Sequence, residues 1–260
     1  MERSQVEEAA RILHEAWLEK TTIDELPQSC RPKSIDEGYE IQSVLKDMHG
    51  TKVAGYKSGA TNRVAQKMFN VDSPFFGRVM DPSIIKSPAN IREGAIILYI
   101  IEAEFDFIFS EDVVPRKEGY TQDEIMEKVG DLVPAIEIPD SRYANWREAG
   151  MPQLIADNAI ASLLILGETA SNWRTLDLSL QTVDVVVNDR LVDVGSGSNV
   201  LGDPRKALVW LANEFSKRGM VLKAGQVVTT GSAADVIKVK SGDSVVADFG
   251  ILGSVELKLA

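Results

Sequence analysis

The chain has 260 residues, with 28 Lys and Arg against 39 Asp and Glu, a formal net charge of −11. That acidic balance excludes a nucleic-acid partner, whose phosphates demand a basic face. A content of 44% hydrophobic and 26% charged residues excludes a disordered chain. No apolar run approaches the ~18 residues of a membrane span. The polar, acidic start Met1–Glu8 is unlike a signal or transit peptide, and the lone Cys30 has no disulfide or metal partner at useful spacing. A soluble, cytoplasmic protein is the expectation.

The first stretch reads as a helix, with Val6, Ala9, Ala10, Leu13, Ala16 and Trp17 on one side. Ser34-Ile35-Asp36-Glu37 fits a capping box and opens a second helix through Tyr39, Ile41, Val44, Leu45 and Met48, which Gly50 ends. Thr121-Gln122-Asp123-Glu124 opens a third by the same logic. Asp203-Pro204 starts a fourth, with Asp as N-cap, Leu208, Leu211, Ala212 and Phe215 buried, and Gly219 as its stop. Stretches 96–109, 181–194, 226–230, 244–249 and 254–259 are rich in Val, Ile, Leu and Phe and read as strands, with a hairpin turn at Asn188-Asp189-Arg190. Glycines at short intervals in the last third suggest a curved or closed sheet. The resulting class is α+β: a helical N-terminal part over residues 1–52 leading into a mostly β body over 53–260, together one structural unit.

Three segments carry chemistry. In Ile101-Glu102-Ala103-Glu104-Phe105-Asp106-Phe107, alternation puts the three acids on one face, about 7 Å between successive ones. The residues before them are apolar on both faces, as in a strand buried on both sides. Buried neighbouring carboxylates cost several kcal/mol unless a cation neutralises them, and a hard divalent metal with oxygen ligands does so. The other reading is an edge strand whose acidic face is wet. Glu137, between Ile136 and Ile138, is either a third carboxylate for such a site or half of a salt bridge with Arg142. Lys57, in Gly55-Tyr56-Lys57-Ser58-Gly59, is either a surface lysine on a glycine-rich loop or a partly desolvated acid or base. No Walker or dinucleotide fingerprint occurs.

Taken together with Ala156-Asp157-Asn158-Ala159 and Gly225-Gln226-Val227-Val228-Thr229-Thr230-Gly231-Ser232, these segments resemble, over nearly the whole chain, the 2-keto-4-pentenoate (2-hydroxypenta-2,4-dienoate) hydratase and 4-oxalocrotonate decarboxylase family of the fumarylacetoacetase fold superfamily. The resemblance implies a mixed β-roll with a helical N-terminal part, assembled into homo-oligomers. It implies Mg²⁺ or Mn²⁺ on Glu102, Glu104 and Glu137, with Lys57 as the catalytic lysine, Ser162 as a pocket serine and Thr230 in a substrate-contacting turn. It also implies a 2-oxo or 2-hydroxy-dienoic acid substrate that chelates the metal, which stabilises an enolate. Hydration at C4 is the first expectation and 4-oxalocrotonate-type decarboxylation the alternative.

Two departures bear on that choice. Phe75, in Ser73-Pro74-Phe75-Phe76-Gly77-Arg78, stands where the family's hydratases carry Asp, and it favours an apolar pocket. Arg78 is read as a partner for a second substrate carboxylate or as a surface ion pair. A fumarylacetoacetase-like hydrolase would need a histidine–acid pair, whereas His14 and His49 both fall in the helical N-terminal part and are expected to be structural or surface residues. A non-catalytic partner subunit is disfavoured because Lys57 accompanies all three acids.

Overall fold

The computed structural model describes residues 1–260. Helix α1 (Arg3–Glu19) buries Val6, Ala9, Ala10, Leu13 and Ala16 against α2 (Ile35–His49), while Trp17 stays at the rim of that stripe. The Ser34 hydroxyl accepts from the Glu37 N–H, but the Glu37 carboxylate accepts from the Lys33 N–H and the N-terminal amine, so only one arm of the expected capping box forms. Gly50 ends α2 at φ 65°, a conformation that an L side chain resists.

Then follow β1 (Val53–Gly59), α3 (Arg63–Phe69), β2 (Phe75–Met80), β3 (Ile84–Lys86), β4 (Ala89–Ile91) and β5 (Ile100–Phe109). The strand expected from Ile96 starts only at Ile100. Asp140 Oδ1 takes the N–H groups of Ile97 and Leu98 at 2.9 and 2.7 Å, which removes them from any ladder. Next come α4 (Gln122–Lys128), with both arms of the Thr121–Glu124 capping box formed, β6 (Val129–Ile138), α5 (Met151–Ala156) and β7 (Leu163–Leu166). The remainder is β8 (Thr182–Val187), β9 (Arg190–Ser196), α6 (Arg205–Arg218), β10 (Val227–Val228), β11 (Ile237–Lys238), β12 (Ser244–Asp248) and β13 (Ser254–Leu259). Asn188 and Asp189 turn the β8–β9 hairpin at φ 49° and 61°, as a two-residue primed turn requires. Asp203 caps α6 through the Arg205 N–H, and Gly219 ends it.

The strands form two curled sheets. One runs β2-β1-β10-β5-β6-β7-β3, with β11 also pairing β5; the other runs β4-β13-β12-β8-β9. The first curls far enough for Val79 of β2 and Leu164 of β7 to share a small apolar cluster with Ala135 and Val227. Its concave side is therefore an interior. On the convex side Tyr39, Tyr56, Phe76 and Phe215 pack edge-to-face or stacked beneath α2 and α6. On β5, Phe105 and Phe107 meet Phe249 and Trp173. This is the mixed helix-and-sheet β-roll expected above. No helix is long and apolar enough to cross a membrane.

Candidate active site

Strand register assembles the site. β5 and β6 are antiparallel, with Glu102 opposite Glu137, so alternation carries Glu102, Glu104 and Asp106 to the concave side beside Glu137. β1 lies across β10 from β5, and its pairing of Lys57 with Gly77 points the lysine inward too. One carboxylate oxygen from each of Glu102, Glu104 and Glu137 lies within 4.8 Å of the others. Lys57 Nζ sits 2.8 Å from Glu137 Oε1, and both side chains are almost wholly buried. Glu137 thus pairs with Lys57 rather than Arg142, whose Nε instead lies 2.7 Å from Asp157 Oδ1. Lys57 is a strand residue facing the interior, not a loop lysine.

The electrostatics are those of crowded, desolvated acids. Were all three carboxylates ionised, the one ammonium would leave two negative charges uncompensated in the interior. Burial first, and then the neighbouring carboxylates, push Glu104 and Asp106 well above the ordinary carboxylate range. Burial likewise drives Glu102 up to about 7, with Lys57 opposing and Glu137 adding to it. Burial alone would lower Lys57, but Glu137, Glu102 and Glu104 together outweigh it and hold the ammonium above its usual value. Glu104 Oε1 and Glu137 Oε2 are buried without any hydrogen-bond partner. Orphaned, all-oxygen and convergent, the set fits a hard divalent cation, which would displace the protons that burial otherwise favours. Asp106 is deeper, with both oxygens unpartnered, and stays outside the three-acid group.

Gly231 sets the remaining edge. Its N–H donates to Glu104 Oε2 at 2.7 Å from a backbone at φ 94°, and a Cβ there would lie 1.9 Å from Thr61 Oγ1. Only glycine suits that turn.

Glu102 and Lys57 open onto a cleft of about 480 Å³ whose walls also include Phe75, Trp146 and Ile160, with Glu104 and Glu137 buried behind them. Ile160 reaches it from three successive left-handed residues, Asn158, Ala159 and Ile160, at φ 51–54°. The Asn158 amide holds that turn to the Arg78 backbone through two 2.8 Å bonds. Phe75 lies in the cleft as the sequence suggests.

Three residues expected to touch substrate do not line this cleft. Arg78 is opposite Tyr56, one residue out of phase with Lys57, so its side chain leaves on the convex face and donates to Gln42 Oε1. Thr230 is buried with its hydroxyl donated to Phe105 O at 2.7 Å, and its neighbours Gly231 and Ser232 line the cleft instead. Ser162 lies outside the cleft, beside a small void that also touches Glu137 and Thr229. Arg147 was not anticipated. It stacks on Trp146 at 4.4 Å and is the cleft's second cation after Lys57. Nothing in its Asn-Trp-Arg-Glu surroundings marks it, because it arrives on a turn. Thr61, whose buried hydroxyl has no partner, also lines the cleft.

Comparison with known proteins follows the same line. The chain is 33% identical over 258 residues to a 2-keto-4-pentenoate hydratase of Paraburkholderia xenovorans (strain LB400), covering 98% of this chain and 95% of that one. It is 27% identical over 261 residues to a 4-oxalocrotonate decarboxylase of Pseudomonas sp. (strain CF600), covering 98% and 97%. Its fold superposes on 4-oxalocrotonate decarboxylase from Pseudomonas putida G7, complexed with magnesium and adipate, with a TM-score of 0.93, 25% identity and 100% and 99% coverage. Residues 61–260 match the Fumarylacetoacetate (FAA) hydrolase C-terminal family, and the chain belongs to that family.

Proposed function

We propose that this protein is a metal-dependent hydro-lyase that adds water to 2-hydroxypenta-2,4-dienoate-like (2-keto-4-pentenoate) acids to give 4-hydroxy-2-oxo acids. The observation that carries this reading is the convergence of Glu102, Glu104 and Glu137 beside Lys57, with Glu102 and Lys57 lining a substrate-sized cleft. The similarity to 2-keto-4-pentenoate hydratases at 33% identity supports it. The three glutamates would hold Mg²⁺ or Mn²⁺, which supplies a Lewis acid for negative charge developing on the substrate's 2-oxygen.

The chain's own residues do the rest. Lys57 Nζ, held by Glu137, donates to the substrate's C1 carboxylate or carries the proton that moves along the diene. A proton added at C5, with the 2-hydroxyl proton given up, turns the 2-hydroxy-diene into its tautomer, a 2-oxo-3-enoate with an electrophilic C4. Water then adds its oxygen at C4 and a proton arrives at C3. Phe75 and Ile160 exclude bulk solvent from the apolar end.

A second reading rests on Phe75 and Arg147. An apolar wall with a cation nearby suits a dicarboxylate that loses its far carboxylate as CO₂, as in a 4-oxalocrotonate decarboxylase. Supplying 2-hydroxypenta-2,4-dienoate and 4-oxalocrotonate separately with Mg²⁺, and weighing the products, decides between them. A gain of water on the first supports the hydratase; CO₂ loss from the second, with the first inert, overturns it.

Assembly into a homo-oligomer is part of the same reading. The open edge strand β9 exposes Leu191, Val192 and Val194, an apolar edge of the kind that associating proteins cover. The buried free thiol of Cys30 suits a reducing, cytoplasmic setting.

A further inference from the structure

On the convex face, behind the strands that carry Lys57, a second cavity of about 240 Å³ opens between α1, α2, β2 and the loop at Asp157–Leu163. Leu13, Trp17, Leu45 and Met80 make one wall apolar. Lys20, Arg78 and Arg142 line the cavity as well, with Asp157 its one carboxylate. Only two arginines of the chain are buried, Arg78 and Arg142, and both face this space.

Their circumstances differ. Arg142 is neutralised by Asp157, whose Oδ2 also accepts from the Arg142 N–H and the Ser141 hydroxyl, and by Asp140 beyond it. Arg78 has no ion pair. Its guanidinium makes one hydrogen bond, from Nη1 to Gln42 Oε1, and its remaining donors are unused. The carboxylate of Asp47 acts on it from a distance but pairs with Lys46. Lys20, at the end of α1, also lacks an ion pair and lies 5.1 Å from the Trp17 ring. His49 adds no charge near neutral pH, because burial, His14 and Arg142 hold it down to about 4.

A buried, unpaired guanidinium costs several kcal/mol unless an anion or ample water offsets it. In a chain of net charge −11, carboxylates to pair it were abundant, yet none is placed there. The cavity is below the ~300–1,000 Å³ of drug-sized sites, so its occupant is compact. Inorganic phosphate would satisfy the cations but leave the apolar wall unfilled.

We propose that this cavity is a second ligand site, separate from the acidic cleft, for a small organic carboxylate with a compact apolar body. The carboxylate is held by Arg78 and Lys20, and the body packs against Leu13, Leu45 and Met80. None of the three glutamates lines this cavity, although its wall residues Ala161, Ser162 and Leu163 also border the small void that touches Glu137.

The test is titration calorimetry with benzoate as the probe, on metal-free protein so that the acidic cleft offers no cation to a carboxylate. Saturable one-to-one binding is expected in the wild type and, within about twofold, in Glu102→Gln. Arg78→Gln should weaken it about 10-fold or more, the scale of a lost charge-assisted hydrogen bond. Because Arg78 is buried, Lys20→Asn is the second arm: Lys20 is exposed and at φ 52°, a conformation Asn tolerates, and binding should weaken there as well while the fold is kept. The proposal is overturned by absence of saturation up to about 10 mM, by unchanged affinity in Lys20→Asn, by an affinity that follows Glu102 instead, or by phosphate binding where benzoate does not.

Discussion

Lys57 and Glu137 come from strands that are not neighbours, yet they form a buried ion pair of 2.8 Å, with Lys57 reaching the wall of the cleft. The pair ties the group that handles protons to one of the three groups assigned to the metal. Lys57→Ala should leave metal content intact while lowering turnover about 10²-fold or more, the scale of general acid–base catalysis. Lys57→Arg should also be poor, since guanidinium does not give up its proton near neutral pH. Turnover near that of the wild type in either variant would reduce Lys57 to a bystander.

The same pair has a stability consequence. Removing the ammonium leaves Glu102, Glu104 and Glu137 without a cation, and breaking a buried pair costs about 3–5 kcal/mol. Metal-free Lys57→Ala should therefore be strongly destabilised in denaturant unfolding, and saturating Mg²⁺ should recover much of the loss. Equal stability with and without Mg²⁺ would contradict the charge balance argued for the site.

Gly231→Ala tests the turn that holds Glu104. A methyl group there collides with Thr61 Oγ1 and strains a backbone at φ 94°, so the N–H to Glu104 Oε2 bond is lost. Metal affinity should fall by about 10-fold, the usual range for losing a group that orients a ligand. Titration with Mn²⁺ followed by electron paramagnetic resonance measures it; unchanged affinity would remove Gly231 from the site.

Arg147 separates the two reaction readings. If a second substrate carboxylate reaches it, Arg147→Ala should raise KM for 4-oxalocrotonate about 10-fold, while KM for 2-hydroxypenta-2,4-dienoate stays near the wild-type value. A uniform change for both substrates would mean that Arg147 shapes the entrance without reading charge.

His49 gives the chain a stability dependence on acid. Its folded value of about 4 is below the ~6.5 of an unfolded histidine, so between those values the unfolded state binds the extra proton. Stability from this group is present above about 6.5 and is lost as pH falls towards 4. His49 is partly exposed, so the effect is modest. The melting temperature of the wild type should drop more than that of His49→Gln between pH 7 and 4.5; parallel curves would contradict the assignment.

How much of this was legible in the sequence follows from what each residue depends on. Glu102, Glu104 and Glu137 stand out because a charge inside an apolar strand run needs a reason, and alternation alone assigns their face. The burial of Lys57 was ambiguous, since a glycine-flanked lysine reads equally as loop; the register with Gly77 resolves it. Arg78 was placed by its neighbourhood in a motif, but its face depends on a one-residue phase that pairing decides, and that phase sends it to the convex side. Arg147 joins the cleft through a turn whose path no local pattern records. The Ser34 box formed by half because Glu37 found the Lys33 N–H and the chain's own amine instead.

One cation shared by Glu102, Glu104 and Glu137 is central to the proposed chemistry. Crystals grown with Mn²⁺ and measured at the manganese absorption edge test this directly. A single anomalous peak is expected within about 2.0–2.6 Å of a carboxylate oxygen from each glutamate, with Lys57 Nζ close by but not coordinated. An empty three-acid cluster at saturating Mn²⁺, or a peak that omits any of the three, would contradict it.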